Sequence, residues 1–191
     1  MGAPIQERLQ RYKEILLAWN EKVNLIGPEA VRNLDAHIEE AVHAAEILRP
    51  EGEVLDVGSG GGLPGIPMAI VSPGARFHLV DSDQRKWAFL KHVVRECSLN
   101  SQVYGDRLSR VVARLPPGLR FTLVTSRAVG HFESWLPEVR DRLSQDGRVA
   151  LFQRKKMVPN VAGLRLDRAV ALPRGESNFL LILKRFHVEH D

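Results

Sequence analysis

A glycine-rich segment directly after a short apolar run is the part of the sequence best suited to chemistry. Residues 54–57 predict a buried strand, and the pattern Asp56-x-Gly58-x-Gly60-x-Gly62 begins inside it. Glycine adopts positive φ angles and lets a ligand approach the backbone closely. Ligands of open parallel sheets bind at the carboxyl ends of the strands, so we expect a nucleotide or nucleoside here. A tight turn without a ligand is the alternative.

These glycines can be aligned with two different sequence motifs, and each motif favours a different ligand. Gly60-x-Gly62-x-x-Gly65 has the spacing of the dinucleotide fingerprint, but its first glycine lies three residues beyond the strand. The register that starts at Asp56 resembles motif I of class I S-adenosylmethionine-dependent methyltransferases. A dinucleotide needs a helix N-terminus free to meet its pyrophosphate, whereas S-adenosylmethionine has no phosphate. An adjacent Asp56 carboxylate is therefore tolerable and can hold the amino group of that cofactor. We predict S-adenosylmethionine as the ligand, with Gly58 and Gly60 against it.

Acidic residues also follow the next two apolar runs. Asp81 comes directly after residues 77–80, where a carboxylate can accept both ribose hydroxyls of an adenosyl group. Asp106 follows residues 102–105, where methyltransferases commonly contact the adenine amino group. Capping of the next helix is the alternative role for Asp106. Three acids at three successive strand ends strengthen the prediction of a methyltransferase.

Two motifs that would define other methylation chemistries are absent from the sequence. Residues 124–128 lack the Asn/Asp-Pro-Pro-aromatic motif of enzymes that methylate exocyclic base amines. Cytosine C5 methylation needs a thiolate, but Cys97 ends a helix beside Val93 and Val94, which predicts a buried structural thiol. The acceptor should therefore already be nucleophilic, and guanine N7 is such an acceptor. We predict catalysis by in-line placement, without a dedicated general base and without a catalytic side chain.

The elements that position these residues change character near residue 50. Residues 1–50 predict helices, because apolar residues recur there at spacings of three and four. From residue 51 short apolar runs alternate with helical stretches, which indicates parallel βαβ units. We predict an α/β fold: a Rossmann-like class I methyltransferase domain at 51–191, with a mostly parallel sheet and an antiparallel C-terminal strand, after a small helical extension at 1–50. The predicted strands are 54–57, 77–80, 103–104, 121–125, 149–152 and 179–183, and the helices between them 66–71, 86–97 and 132–143.

Composition narrows the class of protein. Hydrophobic residues make up 44% of the 191, enough for a real core, and a single cysteine excludes a disulfide scaffold. The net charge of +4 is compatible with a nucleic-acid partner. No His/Cys/Asp cluster has metal-ligand spacing, so we predict no metal. No apolar run approaches the roughly 20 residues of a membrane helix, and the first ten residues lack a signal core. We predict a cytoplasmic monomer without a membrane partner.

Four segments together resemble the RsmG (GidB) family. They are Trp19-Asn20-x-x-x-Asn24-Leu25, His37-Ile38, the loop 56–67 with its Leu-Pro-Gly-Ile-Pro ending, and Ser126-Arg127-Ala128. That family methylates guanine N7 in small-subunit ribosomal RNA. The resemblance therefore implies S-adenosylmethionine-dependent methylation of 16S ribosomal RNA, free or in a small-subunit precursor. It also implies a cofactor pocket lined by Gly58, Leu63, Arg107, Leu108 and Arg127.

The RNA side of the site is predicted from four residues. Arg154 and Lys155 form part of a basic run that can meet phosphates, and Asn24 and His37 lie in the matching N-terminal segments. A solvated loop is the alternative for the basic run, and packing or capping is the alternative for His37. The chain departs from the family pattern at Ala36, near Leu108 and at Gln153. Two other functions therefore stay open: a methyltransferase for another RNA or a small molecule, and a non-catalytic ribosome-binding module that kept the fold.

Overall fold

The computed structural model describes residues 4–127, 130–154, 156–173 and 179–186. Helices come first and then alternate with strands. The elements are α1 (Ile5–Asn20), α2 (Pro28–Arg32), α3 (Leu34–Leu48), β1 (Gly52–Val57), α4 (Gly65–Val71), β2 (Ala75–Val80), α5 (Gln84–Glu96), β3 (Ser101–Tyr104), α6 (Leu108–Arg114), β4 (Phe121–Arg127), α7 (Phe132–Arg140), β5 (Leu143–Gln153), β6 (Leu164–Ala171) and β7 (Phe179–Arg185).

One seven-stranded sheet has the order β3-β2-β1-β4-β5-β7-β6. Strands β1 to β5 run parallel, and β7 pairs antiparallel with both β5 and β6. Val57 is in register with Val80 of β2 and with Ser126 of β4. The carboxyl ends of three neighbouring strands therefore meet at one edge of the sheet, as the sequence pattern predicts.

Helices cover both faces of the sheet. Helices α1, α3, α4 and α5 share an apolar core with one face, and α6 and α7 pack on the other. Helix α1 buries Leu9, Tyr12, Ile15 and Leu16, a spacing of three and four residues that forms one helical face. The predicted extension 1–50 thus packs into the same core as the strands, while its division from 51–191 as a domain stays a prediction.

The elements differ from the predicted ones at their boundaries and by two additions, helix α6 and strand β6. Helix α7 ends at Arg140 and β5 already begins at Leu143, whereas the pattern favoured a helix to residue 143 and a strand from 149. The first part of β5 contains the polar sequence Ser-Gln-Asp-Gly, and its pairing with β4 is irregular between Phe121 and Leu123. An irregular polar start carries no period-two apolar pattern, so it is missed by pattern analysis. The sequence also predicts an antiparallel hairpin, with Gly175 between the extended stretch 169–172 and Phe179, and Gly175 lies outside the described residues.

Candidate functional site

The glycine loop is fixed to the ends of β1 and β2 by backbone hydrogen bonds. The amides of Gly58 and Ser59 both donate to the carbonyl of Val80, at 2.9 and 3.0 Å. The Ser59 hydroxyl donates to the carbonyl of Asp56 at 3.0 Å and accepts from the amide of Val80 at 3.1 Å. Gly58 and Gly60 have φ angles of 71° and 53°, in the left-handed region that favours glycine. The loop is therefore a preformed backbone cradle.

Asp81 joins the end of β2 to this loop. Its Oδ2 accepts from the amide of Gly60 at 2.8 Å, and its Oδ1 accepts from the amide of Asp83 at 2.9 Å. Each carboxylate oxygen has a further lone pair, so Asp81 can still accept hydrogen bonds from a ligand. The side chain is thus oriented by the backbone and lines the cleft described below.

Asp56 lies beneath the loop and is fully buried. Its Oδ1 accepts a 2.7 Å hydrogen bond from the Thr125 hydroxyl on the neighbouring strand β4. A Cβ at Gly65 would lie 2.6 Å from its Oδ2, so only glycine fits above this carboxyl. Burial raises the pKa of Asp56 from its ordinary value of 3.8 to about 6, although the Thr125 hydrogen bond opposes the rise. In the structure this residue supports the loop from the interior and is not on the wall of the cleft.

The N-terminal helices hold the loop from the other side. The buried Tyr12 hydroxyl donates to the carbonyl of Gly61 at 2.7 Å. A Cβ at Gly61 would lie 2.6 Å from Cγ2 of Ile26, so this segment packs directly against the loop. The Asn20 side chain accepts from the amides of Leu25 and Ile26, at 2.8 and 2.9 Å, and shapes the turn that delivers Ile26. Asn20 belongs to the Trp-Asn segment noted in the sequence, but its role in shaping this turn was not predicted.

Arg127, at the end of β4, forms a cluster with two residues of α3. Its Nη2 lies 2.6 Å from Oε2 of Glu40 and 2.8 Å from Nδ1 of His37. Glu40 is only 2% exposed, and Arg127 is 18% exposed, so this ion pair is shielded from water. The guanidinium also lies over the Phe152 ring, with Cζ 5.7 Å from the ring centroid. We call His37, Glu40 and Arg127 the α3–β4 cluster.

The sequence predicts Arg127 and His37 as separate site residues and gives no prediction for Glu40. The sequence does contain one indication that Glu40 is buried. It lies three residues after His37 and four before the buried Ala44, on the apolar side of α3. A buried charge requires a partner. The partner lies 87 residues away in the chain, so only the fold identifies it.

A cleft of about 1100 Å3 lies between the glycine loop, α2, α3 and the ends of β4 and β5. It brings together seven of the predicted site residues and several that were not predicted, Lys86, Phe132 and Phe152 among them. The predicted residues on its wall are Gly58, Gly60, Leu63, Asp81, Arg127, His37 and Arg154. Arg154 is at the rim, where its Nη2 lies 3.4 Å from the exposed Glu29 carboxylate.

The other predicted site residues lie elsewhere. Asp106 lines a second cavity of about 550 Å3 beside β3, and Arg107 and Leu108 begin α6 next to it. The Asp106 carboxylate accepts from the amide of Arg107 at 2.8 Å and pairs with Arg114 at 3.1 Å. The Arg107 amide is the main cause that lowers the pKa of Asp106. Asn24 is exposed and not on the cleft wall, and Lys155 lies outside the described residues.

Metal-binding clusters and membrane-spanning helices are both absent from the described part of the chain. No cluster of three or more His, Cys, Asp or Glu residues there could hold a metal ion. Within the same ranges, no helix is both long and apolar enough to cross a membrane. The buried Cys97 lies against α1, where burial raises the pKa of its thiol.

The fold resembles that of known methyltransferases. The crystal structure of a SAM dependent methyltransferase from Aquifex aeolicus matches with a TM-score of 0.63, over 84% of this chain and all of that chain. The identity is 15%, so the similarity concerns the fold. It confirms the predicted fold class, as does the observed sheet with its antiparallel β7.

Sequence comparison gives the family. A family model described as rRNA small subunit methyltransferase G matches residues 5–169. Ribosomal RNA small subunit methyltransferase G of Gluconobacter oxydans is 39% identical over 143 residues, covering 74% of this chain and 70% of the relative. The protein of the same name from Paracoccus denitrificans is 33% identical over 164 residues, covering 84% of this chain and 82% of its own length. From α1 through β6, therefore, the chain belongs to the rRNA small subunit methyltransferase G (GidB) family.

Proposed function

We propose that this chain transfers a methyl group from S-adenosylmethionine to N7 of a guanine in 16S ribosomal RNA. The observation that carries the proposal is the cleft where the glycine loop, Asp81 and the α3–β4 cluster meet, in a member of this family. The relatives' names supply the ribosomal RNA of the small subunit. The guanine N7 acceptor rests on the nucleophilic lone pair of N7, which needs no general base, and on the resemblance to the family.

The loop side of the cleft fits the cofactor. Gly58 and Gly60 expose backbone at positive φ beside the open cleft, and the oriented Asp81 carboxylate can accept ribose hydroxyls. Leu63 adds an apolar wall. We assign the adenine side to Asp106, Arg107 and Leu108, which follow β3 next to β2 in the sheet, so that the adenine would lie at the second cavity of about 550 Å3 and not in the cleft itself. A volume of about 1100 Å3 leaves room for a base beside the cofactor.

The opposite side of the cleft fits a neutral nucleophile. When bound, S-adenosylmethionine supplies a sulfonium methyl group, and its transfer to the N7 lone pair moves one positive charge onto the base without any proton transfer. A free cation near the base would oppose that charge, but Arg127 is paired with Glu40 at 2.6 Å. The buried Arg127 Nη1 donates no hydrogen bond to a described residue, so Nη2 carries the contacts of this guanidinium to Glu40 and His37. The site therefore needs no general base, and its residues act by orientation.

The rim of the cleft fits RNA. The Arg154 side chain is 75% exposed at the rim, and it can exchange its contact with Glu29 for a phosphate. We also propose that Lys155, His37 and Asn24 contact the RNA.

We further propose that the chain acts as a cytoplasmic monomer. Light scattering on the purified protein tests the monomer: one chain mass is expected, and twice that mass would contradict it.

Methyl transfer by the purified chain tests the function. Methyl-labelled S-adenosylmethionine is offered with naked 16S ribosomal RNA, with small ribosomal subunits and with large-subunit RNA as a control. We expect label only on the first two, recovered as 7-methylguanosine after digestion. Label on another nucleoside or another RNA would contradict the acceptor, and cofactor binding without transfer would indicate a non-catalytic module.

A loop variant controls for contaminating enzymes. Gly60→Val places a β-branched residue at a φ of 53°, which such residues do not tolerate. We expect it to fold and to lose cofactor binding and transfer together. Gly74→Val, at an exposed position where a Cβ meets nothing within 4 Å, should keep both.

A further inference from the structure

The α3–β4 cluster determines which nitrogen of His37 carries the proton. Arg127 Nη2 lies 2.8 Å from His37 Nδ1, and a guanidinium N–H can only donate. Nδ1 must therefore be the acceptor, which places the ring proton on Nε2 and leaves the ring neutral. Glu40 Oε2 lies 3.4 Å from the same Nδ1 but 2.6 Å from Nη2. The two hydrogens of Nη2 thus go to Glu40 and to His37.

The remaining ring nitrogen is free for a ligand. His37 lines the cleft, with 19% of its side chain exposed. Within the described ranges, no residue bonds to its Nε2. The structure therefore holds a neutral N–H donor, of fixed tautomer, at the acceptor side of the cleft.

We infer that His37 Nε2–H recognises the carbonyl oxygen beside the methyl-accepting nitrogen, which is O6 of guanine. The inference rests on the proposed function. Guanine presents O6 as an acceptor next to N7, whereas adenine presents an amino donor at the same place. A donor held on this side of the cleft selects guanine, because adenine would bring two donors together and leave both unpaired.

The neutral charge of the His37 ring is the second reason for assigning its Nε2–H to O6 of guanine. Positive charge develops on the base during transfer, and a protonated imidazole against O6 would oppose it. Arg127 cannot lose its proton, but the buried Glu40 carboxylate balances its charge. The cluster of three side chains has no net charge and still offers a donor. A lysine or arginine at position 37 would supply the donor together with an unfavourable charge.

The tautomer is tested by nitrogen NMR on protein labelled with 15N-histidine. The sequence has seven histidines, and the His37 signals are identified by their loss in His37→Gln. We expect Nδ1 of His37 at the shift of an unprotonated ring nitrogen and Nε2 with a directly bonded proton. Arg127→Leu, which removes the donor, should return His37 to a mixture of tautomers. A proton on Nδ1 in the wild type would overturn the inference, whatever the enzyme methylates.

The O6 contact is tested with 2-aminopurine riboside in place of the mapped acceptor guanosine. This analogue keeps N7 and lacks O6. Single-turnover transfer by the wild type should be roughly 5- to 100-fold slower on the analogue, the loss expected for one unpaired buried group. His37→Ala should be slow on guanosine by a similar factor, with little further loss on the analogue. Any change in the intrinsic reactivity of N7 affects both enzymes equally, so the comparison isolates the hydrogen bond.

Two variants sharpen the result. His37→Gln carries an amide donor near the Nε2 position and should recover part of the rate on guanosine. His43→Gln, on the exposed side of the same helix, should behave as wild type on both substrates. If the losses from His37→Ala and from the analogue add, the donor meets another group such as a phosphate oxygen, and the assignment to O6 is wrong. A wild-type chain that methylates no guanine N7 would overturn the proposed function itself.

Discussion

The hydroxyl of Tyr12 donates to the carbonyl of Gly61, across a sequence separation of 49 residues. The bond is buried and ties helix α1 to the loop between β1 and α4. The first helix is therefore part of the structure that shapes the cofactor side of the cleft. Burial, the main cause, raises the pKa of Tyr12 far above its ordinary value, so the hydroxyl stays protonated and remains a donor.

Tyr12→Phe tests this link. It leaves the Gly61 carbonyl without the tyrosine hydroxyl as its partner. We therefore expect the free energy of unfolding to fall by about 1–2 kcal/mol and S-adenosylmethionine to bind more weakly. Thr122→Val is the matched control, because that hydroxyl bonds to the backbone carbonyls of Glu51 and Glu53 at the opposite end of the sheet. The control should lose stability and keep its affinity in calorimetry. Equal affinities of Tyr12→Phe and wild type would show that the loop keeps its shape without the tyrosine.

Asp81→Ala tests the assigned ribose contact. The variant loses the carboxylate that accepts from Gly60 and Asp83, and calorimetry should show S-adenosylmethionine binding weakened by about 1–3 kcal/mol. Asp141→Ala, which removes an exposed carboxylate, should bind like the wild type. Titration with NADH should give no binding to any of the three. A chain that binds NADH and ignores S-adenosylmethionine would contradict the cofactor assignment.

The buried Asp56 makes stability depend on pH in a defined direction. Its pKa is about 6 in the folded chain and 3.8 ordinarily, so between these values the folded state holds a proton that the unfolded state has lost. The contribution of this group to stability is therefore present at low pH and is lost as pH rises through that window. The difference in free energy of unfolding between wild type and Asp56→Asn should fall by about 3 kcal/mol from about pH 4 to about pH 6 and then level off. Urea titrations across this range measure it, and a difference that rises with pH would show that the carboxyl is ionised in the fold.

Arg127 variants distinguish the cofactor from RNA as its ligand. Arg127→Ala should greatly reduce methyl transfer and, because it leaves Glu40 buried without this partner, cost about 3–5 kcal/mol of stability. Arg127→Lys keeps the positive charge but loses the planar guanidinium and its fixed set of N–H donors, so we expect partial activity. Cofactor titration then decides the contact: weakened binding indicates the cofactor, and unchanged binding indicates RNA. Full activity of a folded Arg127→Ala would mean that the arginine is structural only.

The parts of the site that follow from local pattern were predictable from sequence. An apolar run followed by Asp56 and alternate glycines identifies a strand and its loop, and the acid after the next run identifies Asp81, because strand ends in a parallel sheet converge. The register of β1 with β2 and β4 then brings the ends of these three strands level with one another, so Asp81 and Arg127 line the same cleft.

The rest depends on contacts between distant segments. Glu40 and Arg127 are 87 residues apart, and nothing in the local pattern of α3 names the partner of a buried carboxylate. From the sequence, Tyr12 is indistinguishable from the other apolar residues of α1, because the carbonyl that accepts from its hydroxyl belongs to Gly61 in a distant loop. Asp106 illustrates the converse: its position after β3 was predicted, but its pairing with Arg114 and its place on a second cavity depend on how α6 packs.

Mapping of methyl groups on 16S ribosomal RNA, from cells with and without this chain, tests the central claim most directly. We expect one 7-methylguanosine that disappears without the chain, returns with the wild type and does not return with Gly60→Val. An unchanged set of methylated guanines in cells that lack the chain would contradict it.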